Sequence, residues 1–231
     1  MTLRSRILAF FPAMIAALAI ACVVELARHP GPLSLVALAA VLYVLPVLAF
    51  RIHDLVCPIR EGESRMDGKT YCPWFGGHQF QLIYIAIPQL EALLRIVPGL
   101  YSAWLRLWGS RVGRGVYWTP RVEILDRNLL DIGHGVVFGH MSGASGHLIM
   151  PTKNGGVRLQ LARVRIGDGA FIGGASYLAP GAVLEAGAFL RMGNHVMPFE
   201  TVRAPARAEQ SQSPGARATA ADSSPPAAAE A

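Results

Sequence analysis

Two apolar runs open the chain, at residues 7–24 and 33–50. Each is near the minimum length for a helix crossing a hydrocarbon core about 30 Å thick. Arg28-His29-Pro30-Gly31-Pro32 between them reads as a turn, so the runs predict a helical hairpin. Arg4 and Arg6 could also begin a signal peptide, but the apolar run is longer than a usual signal core and a second run follows at once. The pattern favours an anchor. Positive charge gathers at Arg4 and Arg6 and again at Arg51, Arg60, Arg65 and Lys69, with only Arg28 in the hairpin turn. That asymmetry places both ends in the cytoplasm. Residues 1–52 are therefore expected to form a two-helix transmembrane anchor.

Residues 53–78 read as a polar loop, and the chain turns apolar again over 79–108. There Leu100, Trp104, Leu107 and Trp108 fall on one helical face, with Ser102 and Arg106 elsewhere. Tryptophan and arginine on such a helix suit a headgroup boundary, and an ordinary amphipathic helix packed on the next domain fits equally. The segment 53–110 is expected to be a polar loop followed by amphipathic, interfacial helices.

From residue 112 the period changes to six. Ile166, Ile172, Leu178, Leu184, Leu190, Val196 and Val202 stand six apart, heading the hexads IGDGAF, IGGASY, LAPGAV, LEAGAF, LRMGNH and VMPFET. Val112, Trp118 and Ile124 keep the same step; after a two-residue slip, Ile132 and Phe138 resume it. Six fits neither a helix, at 3.6, nor a simple alternating strand, at 2. It fits a short strand and a corner repeated three times per triangular coil. The aliphatic residue points to the coil's axis and stacks on its equivalent eighteen residues later. Ala170, Ser176, Ala182 and Ala188 fit the other crowded inward position. Residues 111–203 are expected to be a parallel β-helix, and the Ala-, Ser-, Pro- and Gln-rich tail at 204–231 to be disordered, since it cannot bury enough surface to offset its ordering entropy.

Composition agrees with a chain partly in lipid: 52% hydrophobic and only 16% charged residues. The formal net charge of +6 suits an anionic surface. No run of five or more Lys/Arg occurs, so the partner is a membrane rather than a nucleic acid. The three cysteines, Cys22, Cys57 and Cys72, show no CxxC, and with His53 and His78 they match no common zinc spacing, so no metal is expected.

The hexads resemble those of the hexapeptide-repeat (isoleucine-patch) acyltransferases over residues 112–202. Residues 74–153 look like a membrane-associated subgroup of acyl transferases. The resemblance implies a left-handed parallel β-helix, homotrimers, and transfer of an acyl group from acyl-CoA, acetyl-CoA by default, as co-substrate with no bound cofactor. The repeat breaks between Phe138 and Ile166, a segment that carries His140, His147 and a Lys-Asn-Gly-Gly turn. In this family such a loop supplies the histidine that deprotonates the acceptor, and His147 matches that place best. His140 is the reserve, while His134 and His195 have no assigned role. Asp126 and Glu123 are candidates to orient the histidine across a subunit boundary, and Gly173, Gly174 and Ala175 to let the pantetheine arm lie on the coil. The implied reaction is direct acyl transfer to a hydroxyl or amine of a lipid-linked or hydrophobic acceptor, without a cysteine nucleophile, at the cytoplasmic face of the inner membrane. A non-catalytic trimeric scaffold is the alternative. A γ-type carbonic anhydrase would need three converging histidines, and His134, His140 and His147 lack its spacing.

Overall fold

The computed structural model describes residues 2–66, 69–152 and 156–205. Of the expected tail at 204–231, all but residues 204 and 205 lies outside the described residues, as does most of the Lys-Asn-Gly-Gly turn. Among the described residues, seven α-helices precede the repeat: α1 (Leu3–Leu8), α2 (Phe11–Arg28), α3 (Pro32–Ala39), α4 (Leu45–Val56), α5 (Pro73–Ala86), α6 (Gln89–Ile96) and α7 (Leu100–Leu107). Two continuous stretches, Leu3–Arg28 and Pro32–Val56, are each long and apolar enough to cross a bilayer.

The second stretch is interrupted by a π-helical turn at Ala40–Val44. Pro46 has no N–H to offer the Leu42 carbonyl four residues back, and the Tyr84 hydroxyl of α5 donates to that carbonyl at 2.6 Å. Trp104 of α7 donates its indole N–H to the Tyr43 carbonyl at 3.2 Å. Backbone groups released by the distortion thus become docking points for the following helices. Tyr84→Phe keeps the ring but removes the donor. We expect it to cost about 1–3 kcal/mol, read as a lower midpoint in thermal unfolding of the detergent-solubilised protein.

The region 53–78 is more structured than its polarity suggests. α4 runs on to Val56, a strand forms at Gly62–Met66, and α5 begins at Pro73. α5 is covered on nearly all sides because it lies between α2 and α4 on one flank and the repeat on the other. On α7 the buried face is Tyr101, Trp104, Leu105 and Trp108, while Leu100 and Leu107 face outward. The buried face is thus rotated from the expected Leu100, Trp104, Leu107 and Trp108 set, with Tyr101 and Leu105 in place of Leu100 and Leu107. The coil's open end, capped by this helix, takes the i, i+3, i+4, i+7 set instead, with Ser102 accepting the Trp118 indole N–H.

The repeat forms three parallel sheets of five, four and four strands. The chain visits them in strict rotation, at Arg111–Val112, Tyr117–Trp118, Glu123–Ile124 and then Leu130–Ile132 back on the first. The three parallel sheets and their rotation fit the period of six. Ile166 pairs with Leu184 and Leu184 with Val202, eighteen residues apart each time. The inward small positions, Ala170, Ser176, Ala182 and Ala188, are all buried.

Two departures from the period place the site. The two-residue slip becomes a bulge at residues 125–129, so Arg111 pairs with Asp131, twenty residues on. The later break is shorter than the sequence indicated. Gly143–Ala144 still forms a strand in register on Glu123–Ile124, and the chain leaves the coil only after it. What leaves is a hairpin, His147–Pro151 against Val157–Leu161. Gly62–Met66 adds to the far side of the hairpin, antiparallel to Val157–Leu161. Arg158 donates to the Glu63 carboxylate at 3.1 Å, tying this edge. Trp74, Leu129, Leu159 and Leu161 form a small second core beneath the sheet.

Candidate active site

The bulge presents three consecutive polar side chains, Asp126, Arg127 and Asn128, to the helices packed beside it. Trp74 of α5 donates its indole N–H to Asp126 Oδ1 at 2.9 Å. The Gly146 N–H donates to Asp126 Oδ2 at 2.8 Å. Position 146 must be glycine: a Cβ there would lie 2.5 Å from Leu129 Cβ. The bare backbone lets the first residues of the hairpin settle on the bulge. That brings His147 Nδ1 to 2.6 Å from Asp126 Oδ2.

Asp126 is 1% exposed. Burial alone would push its carboxyl up, but the hydrogen bond and charge of His147 and the Trp74 donor outweigh it and hold the group below the usual carboxylate range. An ionised carboxylate only accepts, so His147 donates from Nδ1 and Nε2 is the ring nitrogen left for other partners. Trp74 walls this pair, its ring 4.6 Å from that of His147. One turn along α5, His78 stacks on Trp74 at 5.0 Å and meets the His147 ring edge-on at 5.5 Å.

His78 is pushed down to about 4, chiefly by burial, with Asp126 opposing and His147 and Arg127 adding to the fall. An unfolded imidazole titrates near 6.5. Between those values the unfolded chain binds the more protons, so stability rises with pH there and is lost as pH falls. We expect the unfolding midpoint to drop between pH 6.5 and 4 by the equivalent of about 3 kcal/mol. A His78→Gln variant should have a distinctly flatter profile over the same range.

His78, Asp126 and His147 each bring a donor atom within 4.8 Å of the others, a set that could hold a divalent ion. The donors already in place favour a proton instead. Asp126 Oδ2 accepts from Gly146 and His147, with Ser145 Oγ at 3.3 Å, and Oδ1 accepts from Trp74. At 2.6 Å the His147–Asp126 contact is shorter than the gap a bridging metal would need between its ligands.

Arg127 and Asn128 anchor the bulge. Arg127 Nε donates to Glu91 Oε1 at 2.7 Å, and Tyr101 donates to the same oxygen at 3.1 Å. Arg95 donates to Glu91 Oε2 at 3.1 Å. Gln81 accepts the Arg127 N–H at 2.7 Å and reaches Asn128 Oδ1 at 3.3 Å.

Of the candidate catalytic side chains singled out from sequence, the structure joins two, His147 and Asp126, and joins them within one chain. Glu123 is exposed and lines a cavity of ≈ 490 Å³ with Tyr84, Glu91 and Arg127. His140 sits at an exposed coil corner, where its carbonyl accepts the Ala175 N–H at 2.8 Å. His134 is also exposed, its Nδ1 accepting the Arg114 N–H at 3.1 Å. Gly173 and Gly174 have a packing reason of their own: a Cβ on Gly173 would lie 2.4 Å from Met192 N, and one on Gly174 3.0 Å from the His140 carbonyl oxygen. Sequence reasoning missed Trp74, His78, Glu91 and Arg127. The available signal was the two-residue slip, which marks where the coil bulges toward a partner layer.

Similar solved structures include a hexapeptide-repeat-containing acetyltransferase from Vibrio cholerae O1 biovar eltor complexed with acetyl coenzyme A, 15% identical with a TM-score of 0.40, covering 53% of this chain and 81% of that one. A maltose O-acetyltransferase from Clostridium difficile 630 is 15% identical with a TM-score of 0.33, covering 51% and 75%. Serine acetyltransferase isoform 3 from Entamoeba histolytica, in complex with cysteine, is 11% identical with a TM-score of 0.33, covering 85% and 71%. No protein-family model matches the chain, and no curated protein matches it. Likeness at this level assigns no chemistry to the site, which rests on the chain's own residues.

Proposed function

We propose that this protein is a membrane-anchored acyltransferase of the hexapeptide-repeat kind, with a left-handed coil, that moves an acyl group from acyl-CoA to a hydroxyl or amine of a lipid-linked or hydrophobic acceptor. The observation that carries the reading is the 2.6 Å contact of His147 Nδ1 with buried Asp126 where the repeat opens. His147 Nε2 takes the acceptor's proton as its oxygen or nitrogen attacks the thioester carbonyl. Asp126 fixes the tautomer and stabilises the imidazolium that forms. The tetrahedral oxyanion is held by a backbone N–H of the coil. On collapse the C–S bond breaks and the CoA thiolate leaves, taking the proton from His147. The acceptor ends acylated and the imidazole returns to neutral.

Gly173, Gly174 and Ala175 give the pantetheine arm a corner without bulky side chains. Tyr117, Val137, Phe171 and Phe189 form an outward ladder on one sheet, with Phe171 and Phe189 stacked at 5.2 Å. This apolar strip is the contact surface for a homotrimer. The apolar helices hold the protein in the inner membrane with the coil in the cytoplasm.

The test is transfer of radiolabelled acetyl groups from acetyl-CoA to a membrane-lipid extract by the purified protein in nanodiscs. Label moving into the lipid fraction, with stoichiometric release of CoA thiol, is the expected result. No transfer and no thiol release with acetyl- or longer acyl-CoA would favour the scaffold reading.

A further inference from the structure

If Leu3–Arg28 and Pro32–Val56 cross a bilayer, their polar ends fix the depth of everything packed on them. From Pro32 to Arg51, and from Arg28 back to Arg6, the helices cover about 30 Å at 1.5 Å per residue, the thickness of a hydrocarbon core. Tyr43 then lies about 12 Å inside the boundary marked by Arg51. Yet Leu42 and Tyr43 are where the later helices dock. Tyr84 donates to the Leu42 carbonyl, Trp104 to that of Tyr43, and the Tyr43 hydroxyl donates to the Leu90 carbonyl at 2.9 Å. Nearer the boundary, the Trp108 ring lies 5.1 Å from Phe50, and a Cβ on Gly109 would be 3.1 Å from the Arg51 guanidinium. α7 therefore rises from depth toward the boundary as α4 does.

The side chains at that depth are sorted accordingly. The charged residues of α6 turn inward, Glu91 to Arg127 and Arg95 to Glu91 and the Pro120 carbonyl. Over residues 86–103 the exposed surface carries no charged side chain, and it includes Leu93 (57% exposed), Ile96 (72%), Val97 and Leu100. The exposed arginine of α7, Arg106, stands at the boundary end of that helix and bonds the Val112 carbonyl. An apolar corner of this kind in water is costly; in lipid it is not.

We infer that the corner between α6 and α7 is a wedge immersed in the bilayer leaflet nearest the coil, with lipid acyl chains as its partner. The inference rests on the anchored reading above. It has a consequence for the acceptor. Gly76 and Gly77 of α5 lie against His53 and Phe50, near the boundary. Trp74 and His78, on the same stretch of helix, therefore sit at headgroup level. A lipid acceptor reaches His147 with its tail still in the leaflet.

The test uses the wild-type chain in phosphatidylethanolamine/phosphatidylglycerol vesicles containing a lipid with a photoreactive diazirine in its acyl chain. After irradiation and tryptic digestion, labelled peptides are found by mass spectrometry. We expect the peptide of residues 96–106 to be labelled within about threefold of the hairpin peptides, and about tenfold above the coil peptide of residues 166–191. Labelled hairpin peptides with residues 96–106 at the coil's level would overturn the wedge and leave the anchor standing. Unlabelled hairpin peptides would overturn the anchor itself; label on residues 96–106 would then support an interfacial wedge without spanning helices.

Discussion

Replacing His147 by alanine is expected to lower kcat for acyl transfer about a thousandfold, the range lost when a positioned general base is removed. KM for acyl-CoA should stay unchanged, because the imidazole touches the acceptor's proton rather than the nucleotide. The neighbouring residue sharpens the case. Asp126 accepts from His147 Nδ1, from Gly146 and from Trp74, so Asp126→Asn keeps the shape but removes the charge that favours the imidazolium. We expect a loss of about a hundredfold there, again in kcat. Stopped assays of CoA thiol release, with acyl-CoA binding measured separately by calorimetry, distinguish these outcomes from misfolding. Normal turnover by His147→Ala would remove this histidine from the mechanism.

The second large effect concerns stability. Glu91→Gln leaves the Arg127 guanidinium, 1% exposed, with its carboxylate partner gone. Burial lowers the tendency of that guanidinium to stay charged, but Glu91 outweighs it and keeps it protonated. Breaking a buried pair from one side costs about 3–5 kcal/mol, because the remaining charge is uncompensated. For a chain of this size that is a fall of roughly 10 °C in the unfolding midpoint. The double replacement Glu91→Leu with Arg127→Leu should recover part of the loss, since it removes one of the two arginines that lose their carboxylate. Thermal unfolding in detergent, followed by circular dichroism, measures both. Because Arg127 follows Asp126 in the bulge, the single variant should also lose activity as the bulge shifts, at temperatures where it is still folded.

The two predictions meet on one segment. Asp126 holds His147 and Arg127 locks that segment to α6, while Asn128 meets Gln81 of α5. The helical layer is thus joined to the coil at the proposed reaction centre, and not only through the aromatic cap formed by Trp104, Trp108 and Trp118.

Much of this architecture was legible in the sequence. A stacked coil repeats its inward positions by geometry, so Ile166, Leu184 and Val202 had to recur at a fixed step. Uniform apolarity over eighteen residues is equally local information, and it marked the two long helices. His147 was reachable because the repeat stops near it. The tertiary structure alone decided the rest. His147 and Asp126 stand twenty-one residues apart, and no period relates them; they meet because a bulge and a hairpin both leave the coil at one corner. Trp74 and His78 come from a helix whose burial on all sides erases the amphipathic pattern by which a helix is recognised. Glu91 and Arg127 carry no signal in the sequence, which records ionisable groups but not the partner that makes their burial tolerable. Local periodicity could specify the coil; a site made by contact between elements distant in sequence required the fold.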